Sequence, residues 1–197
     1  MSEGVLELIE GRRGHFRFES GHHGDLWFDL ETLCARPRRI RPFAADLAGR
    51  LSSYQVDGVC GPLTEGAFIG MQVASELDVE FSYAERVAHP ERDALFSVDY
   101  RLPPALRAAV RGKRIAIVND VISAGSAVRG TFADLEACGA QVIAVGALLV
   151  LGSAMAAFAA ERKVVLEALA ELPLNIWAPS VCPLCADGVL LEVPPDR

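Results

Sequence analysis

The segment from residue 114 to residue 138 constrains the fold of this chain more than any other. It begins with the apolar run 114–118, which is typical of a buried parallel strand. A polar turn of small residues follows, and a helical pattern then runs from about residue 126 to 138 and stops before Gly139. This order of strand, turn and helix predicts an α/β protein with the turn at the carboxyl edge of a parallel sheet.

The turn after this strand has the composition of a phosphate-binding loop. Its small residues let the backbone curl so that several N–H groups point at one spot, and the N-terminus of the helix adds partial positive charge. Asp120 and Asn119 end the strand. Because a carboxylate repels phosphate, we expect Asp120 to accept hydrogen bonds from sugar hydroxyls. The alternative is a helix-capping turn with Asp120 as a surface carboxylate. The loop residues are Ser123, Ala124, Gly125, Ser126 and Ala127.

The rest of the chain alternates between strand and helix patterns. This alternation predicts a doubly wound, mainly parallel sheet with helices on both faces. The linker 90–104 has no clear period and is predicted as a loop. Strands are predicted near residues 58–61, 80–83, 114–118, 142–151 and 174–177, and helices near 41–51, 66–77, 126–138 and 154–172.

Length and charge narrow the classes of function. The chain has 197 residues, which fits one domain. Its net charge is −7 and it has no lysine or arginine tract, so nucleic acid is not expected as a partner. The arginines between residues 36 and 41 are interpreted as a solvated helix start rather than a binding patch.

Residues 141–160 carry no charge over a length that could cross a membrane. Gly146 and Gly152 interrupt this stretch and its second half is rich in alanine, so a buried strand, a turn and a helix are predicted instead. The first ten residues are acidic and short of apolar side chains, and no signal peptide is expected. We therefore expect no membrane partner and a cytoplasmic location, where the five cysteines would stay reduced.

Residues 118–127 resemble the phosphoribosyl-pyrophosphate (PRPP) motif of type I phosphoribosyltransferases, in which a strand ends in two acidic residues before a Thr/Ser-Ala-Gly-Thr/Ser loop. The orotate phosphoribosyltransferase branch is the most similar. Its aromatic strand ending in Ser-Gly resembles residues 15–21, its Gly-Pro loop resembles residues 61–66, and Tyr-Ala-Glu-Arg stands at residues 83–86. The resemblance extends from about residue 14 to residue 150.

This resemblance implies transfer of the 5-phosphoribosyl group of PRPP to a nitrogenous base, with orotate the best guess, in pyrimidine nucleotide synthesis. It also implies Mg²⁺ bound with PRPP, a homodimer, and a small hood over the site, formed by about residues 1–35 and 175–197. Two alternatives are a non-catalytic PRPP- or nucleotide-binding regulator on the same fold and an enzyme for another base. The residues so assigned are Asp120 and Asn119 as catalytic residues, residues 123–127 for the 5′-phosphate, Thr64, Glu65, Gly66 and Arg86 for pyrophosphate, and Phe18, Glu19, Ser20 and Gly21 for the base.

The chain departs from the family pattern at several charged positions. Asn119 replaces the first acidic residue of the motif, and Glu65 stands where a small or neutral residue is usual. Many orotate enzymes have a lysine at the position of Glu19 and an arginine just after the strand ending near residue 151. In orotate enzymes the loop corresponding to residues 87–100 commonly carries lysines that cover pyrophosphate. This chain has no lysine there, and His89 and Arg92 are the candidate substitutes for them. Asn119, Glu65 and the lysine-free loop support the regulator, and the absence of the two cations weakens the case for orotate.

Cys182 and Cys185 form a Cys-x-x-Cys pair. Structural zinc sites take four ligands, and the sequence has no second pair, so two packed thiols are predicted. Zinc or redox chemistry is the alternative, and a dimer could bring two pairs together around one ion. The spacing of His15, His22 and His23 predicts no metal cluster, and His15 is expected to be a packing residue.

Overall fold

The computed structural model describes residues 2–9, 11–18, 21–30, 32–88 and 98–193. Its strands are β1 (Gly11–Arg17), β2 (His23–Phe28), β3 (Gly58–Pro62), β4 (Glu80–Ala88), β5 (Val98–Arg101), β6 (Arg114–Ile122), β7 (Gln141–Leu151), β8 (Val165–Leu172) and β9 (Ile176–Trp177). Its helices are α1 (Ser2–Ile9), α2 (Pro37–Leu51), α3 (Glu65–Leu77), α4 (Pro104–Ala109), α5 (Ser126–Ala137), α6 (Ala154–Arg162) and α7 (Pro183–Ala186).

A six-stranded sheet in the order β5-β4-β3-β6-β7-β8 forms the centre of the protein. β3, β4, β6, β7 and β8 run parallel, and β5 pairs antiparallel with β4 at one edge. β6 lies inside the sheet between β3 and β7. The prediction of a mainly parallel sheet with this strand in its interior is therefore confirmed.

Two hydrophobic cores cover the two faces of the sheet. Helices α1, α2 and α3 contribute to the core on one face, while α5 and α6 contribute to the core on the other. Successive residues of β6 enter opposite cores, since Ile115 and Ile117 belong to one and Ala116 and Val118 to the other. This double burial explains why the strand is a continuous apolar run.

The predicted helix 154–172 is wrong in its second half. Helix α6 ends at Arg162, Lys163 adopts a left-handed conformation with φ 56°, and β8 then pairs parallel with β7. The uncharged stretch 141–160 is β7, a turn and the start of α6, as predicted. Within the described ranges, no helix combines the length and apolar character needed to span a bilayer.

The predicted loop 90–104 contains regular structure at its end, where β5 pairs with the second half of β4. Strand β4 extends to Ala88, beyond its predicted end at residue 83. The paired parts of both strands carry charged residues, Glu85 and Arg86 on β4 and Asp99 and Arg101 on β5, so neither forms a long apolar run and the sequence pattern underestimated both strands.

A small second sheet in the order β1-β2-β9 joins the N-terminal segment to the C-terminal tail. The tail also runs along β1: the Glu192 amide donates to the His15 carbonyl at 2.7 Å, and the Arg17 amide donates to the Glu192 carbonyl at 2.9 Å. Helix α1 packs on β8 and α2 of the main body, where its Val5 and Ile9 are buried. We use the term hood sheet for β1, β2 and β9.

Candidate active site

The carboxyl ends of β3, β4 and β6 meet at one edge of the central sheet because these strands are parallel neighbours. Asn119 and Asp120 lie within the last residues of β6 and are 8% and 5% exposed. The Asn119 side-chain amide donates to the Val121 carbonyl at 3.0 Å, which fixes its orientation. Asp120 is thus a largely buried carboxylate at the carboxyl edge of the sheet and not a surface one, while the role of the turn after it stays a prediction.

The loop after β6 turns tightly into α5. Gly125 has φ 76°, a left-handed conformation that favours glycine, and Met155 Cε occupies the space that a β-carbon would need. Arg129 donates to the Ala124 carbonyl at 3.2 Å and to the Ala154 carbonyl at 3.1 Å, with its guanidinium stacked on Phe158. Arg129 therefore fixes the loop against α6. Ser123, Ala124 and Ser126 remain exposed at the N-terminus of α5.

The loop from β3 to α3 is equally close-packed. The peptide bond between Leu63 and Thr64 is cis, and the Leu63 amide donates to the Ala84 carbonyl at 2.9 Å. A β-carbon on Gly61 would lie 2.5 Å from the Gly66 carbonyl oxygen, so a residue without a side chain is required there. The start of α3 can thus approach the end of β3 closely.

The carboxylates of Asp120 and Glu65 both raise the pKa values of residues near this edge. Burial first, and then the charges of Asp120 and Glu65, together raise the pKa of the Cys34 thiol to about 11. Burial also raises the pKa of Tyr100; Arg86 opposes this rise, and Asp120 and Glu65 add to it. Asp120 and Glu65 therefore lie in one electrostatic neighbourhood, together with Arg86.

The candidate base-binding segment is the turn between β1 and β2. The Phe18 amide donates to the His22 carbonyl at 2.9 Å, and the Gly21 amide donates to the Phe18 carbonyl at 2.8 Å. The Phe18 ring stacks on Trp27 with centroids 6.3 Å apart. Glu19 and Ser20 lie outside the described residues, as do His89 and Arg92.

The expectation that the histidines form no metal-type cluster was wrong. His15, His23, Cys182 and Cys185 place their ligand atoms within 4.8 Å of one another. The β1–β2 hairpin brings the two histidines together, and the C-terminal tail brings the thiols to them. A signal was present in the sequence: His15 and His23 lie on either side of the Ser-Gly at which the aromatic strand ends, and reversal of the chain there brings them near each other, diagonally across the hairpin.

The model of the phosphoribosyl transferase domain family matches residues 30–184. Among curated relatives, the orotate phosphoribosyltransferase of Caldanaerobacter subterraneus subsp. tengcongensis is 27% identical over 99% of this chain and 97% of that protein. The Thermotoga maritima orotate phosphoribosyltransferase is 29% identical over 98% of each chain.

Solved structures show the same fold at lower identity. Orotate phosphoribosyltransferase from Aeropyrum pernix superposes with a TM-score of 0.66 at 23% identity, covering 87% of this chain and 94% of that one. Adenine phosphoribosyltransferase from Thermoanaerobacter pseudethanolicus gives a TM-score of 0.65 at 18% identity, covering 87% and 100%. The loop geometry at the ends of β3 and β6 fits this fold. The family model matches residues 30–184, most of this chain, and therefore shows that the chain belongs to the phosphoribosyl transferase domain family.

Proposed function

We propose that this protein transfers the 5-phosphoribosyl group of PRPP to orotate, in the synthesis of pyrimidine nucleotides. The observation that carries the proposal is the junction of two anion-binding loops, where Asn119 on β6 packs against Gly66 on α3. Relatives named orotate phosphoribosyltransferase, similar over nearly the whole chain, favour orotate as the base.

In this proposal the 5′-phosphate binds to the backbone amides of residues 123–127 and to the hydroxyls of Ser123 and Ser126. Asp120 accepts hydrogen bonds from the ribose hydroxyls and favours the positive charge that develops on the ring as pyrophosphate leaves. The amides of residues 64–66 bind pyrophosphate, with Arg86 nearby. These groups position the reactants and stabilise charge, which is most of what the reaction requires.

Mg²⁺ suits the donors at this edge. Asp120 and Glu65 offer carboxylate oxygens, which are ligands that this hard cation prefers. Bound together with PRPP, the ion would neutralise the negative charge of the pyrophosphate. Glu65 directly precedes Gly66, against which Asn119 packs, and its charge and that of Asp120 raise the pKa of the same thiol and phenol. We infer that Glu65 provides the second carboxylate that Asn119 lacks.

We also propose a homodimer that uses the outer face of α3. Phe68 and Met71 on this helix are 42% and 52% exposed, directly after the pyrophosphate loop. Large exposed apolar side chains next to each other indicate an interface. Sedimentation should give about twice the 21.1 kDa chain mass, and Met71→Lys should shift the protein toward that single-chain mass. A single-chain mass for the unmodified protein at micromolar concentration would contradict the dimer.

The test of the function is release of pyrophosphate from PRPP with Mg²⁺ and a panel of orotate, uracil, adenine and guanine. Release with orotate alone supports the proposal, and release with another base alone assigns the activity to that base.

Asn119 favours a second candidate, a PRPP- or nucleotide-binding regulator, because it removes a negative charge from the motif. Calorimetry separates the two functions. Binding of PRPP without pyrophosphate release on any base would select the regulator.

A further inference from the structure

Four side chains with metal-binding atoms meet where the hood sheet contacts the C-terminal tail. His15 on β1 and His23 on β2 come from the N-terminal hairpin, while Cys182 and Cys185 flank the start of α7 in the C-terminal tail. His15, His23 and Cys182 are 1%, 5% and 4% exposed. We propose that these four residues bind one structural Zn²⁺ ion, which joins the N-terminal hairpin to the C-terminal tail.

The distances between the ligand atoms match a tetrahedral site. Zn–N bonds of about 2.0–2.1 Å and Zn–S bonds of about 2.3 Å require ligand separations of roughly 3.4 Å for two nitrogens and roughly 3.6 Å for nitrogen and sulfur. His15 Nε2 lies 3.0 Å from His23 Nδ1, 3.5 Å from Cys182 Sγ and 3.7 Å from Cys185 Sγ. Cys185 Sγ lies 3.2 Å from His23 Nδ1. An ion fits at the centre after small movements of the side chains.

The tautomer of His15 also suits a metal ligand. Its Nδ1 lies 2.9 Å from the Val189 carbonyl oxygen, which can only accept, so Nδ1 carries the proton. The lone pair of the neutral ring is then on Nε2, the atom that faces His23 and both thiols. A backbone carbonyl that orients a histidine in this way is the usual outer partner of a metal-bound imidazole.

The donor set indicates zinc and a structural role. Two thiolates and two imidazoles in a tetrahedral arrangement are a Cys₂His₂ zinc set, with no coordination position left for substrate. The candidate base-binding residues 18–21 lie between His15 and His23 in the sequence. Binding of the ion therefore fixes the chain on both sides of these residues and attaches it to the tail.

Metal content tests the proposal independently of transfer activity. Protein expressed with zinc in the medium and purified without chelators should contain about one zinc ion per chain by elemental analysis. His15→Ala and Cys185→Ser should each lower this content at least several-fold. The matched controls, His22→Ala and Cys34→Ser, should retain it, since neither residue belongs to the cluster. Circular dichroism checks that each variant is folded.

A second measurement keeps the test valid if a variant fails to fold. The reduced, metal-free protein should take up Co²⁺ with the visible absorption of tetrahedral thiolate coordination, and Zn²⁺ should displace it. Zinc should also raise the thermal midpoint of the unmodified chain. A folded protein that takes up neither ion would show that the four side chains form only a hydrogen-bonded thiol–imidazole cluster. Zinc retained in both His15→Ala and Cys185→Ser would show that the ion binds elsewhere. Either result overturns the proposal.

Discussion

The side-chain oxygen of Asn119 lies over the α-carbon of Gly66, in the space that a β-carbon at position 66 would occupy. This contact joins the end of β6 to the first turn of α3, and so joins the loops that follow β6 and β3. The asparagine amide donates to the Val121 carbonyl at 3.0 Å and cannot simply turn away. The relative position of the two loops therefore depends on the absence of a side chain at residue 66.

Gly66→Ala should displace Asn119 and separate the two loops. Misplacement by about 1 Å can cost roughly a hundred-fold in rate, so kcat/KM for PRPP should fall by about that factor. Steady-state kinetics with PRPP as the varied substrate measures the effect.

Gly70→Ala is the matched control on the same helix. Its β-carbon would meet Phe81 and Val59 at 3.4 and 3.5 Å, which is close to ordinary contact. Its kinetics should change by no more than a few-fold, and helix α3 should become slightly more stable. Equal losses in the two variants would show that crowding of the helix, and not the contact with Asn119, is responsible.

Asp120→Asn should weaken PRPP binding while leaving the fold intact. A hydrogen bond to a charged group contributes about 1.5–3 kcal/mol, so affinity should fall roughly ten- to hundred-fold. Calorimetric titration with PRPP and Mg²⁺ gives the affinity, and the thermal midpoint reports the fold. Unchanged affinity in a folded variant would show that the segment is only a structural turn.

Glu65→Gln should raise the Mg²⁺ concentration needed for half-maximal transfer, because it removes one of two carboxylates that act on the same neighbourhood. We expect a shift of roughly ten-fold, the effect of one charge-assisted contact. Rates measured over a magnesium series at fixed PRPP test this. Glu76→Gln, near the far end of α3 and paired with exposed Arg41, is the control and should show no shift.

Local patterns were enough to predict the centre of the candidate site. Residues 114–138 form strand, turn and helix within one continuous segment, so the positions of Asp120 and Ser126 needed no tertiary information. The helix predicted through residue 172 was wrong because no glycine or proline marks the break; Lys163 adopts the left-handed conformation itself. Pairing with β7 then decides that residues 165–172 form a strand, and that pairing is tertiary.

The metal-type cluster could not be predicted from spacing alone. His15 and Cys182 are 167 residues apart, and they meet because the tail pairs with β1 through Glu192. The hairpin between His15 and His23 was partly visible, since residues 15–21 resemble a strand ending in a turn. Its return strand β2 carries Gly24 and Asp25, which weaken a strand pattern.

Asp134 on α5 makes the stability of the protein depend on pH. Burial alone would raise the pKa of this carboxyl, but the Leu102 amide at 2.8 Å and the Arg107 and Arg101 guanidiniums at 2.8 and 3.1 Å outweigh it and lower the pKa. A carboxyl whose pKa is lower in the folded than in the unfolded chain stabilises the fold above its unfolded pKa of about 3.9. That stabilisation is lost as pH falls from about 4 through the folded pKa.

Asp134→Asn should therefore lower the free energy of unfolding by about 2 kcal/mol at pH 7, since it removes the charge from these hydrogen bonds. The difference from the unmodified protein should shrink as pH falls below about 4. Urea unfolding across a pH series measures both effects. Glu136→Gln, two residues along the same helix and half exposed, is the control and should cost less than about 0.5 kcal/mol at any pH. A constant difference between Asp134→Asn and the unmodified protein down to pH about 3 would show that packing, and not the lowered pKa, accounts for the contribution of Asp134.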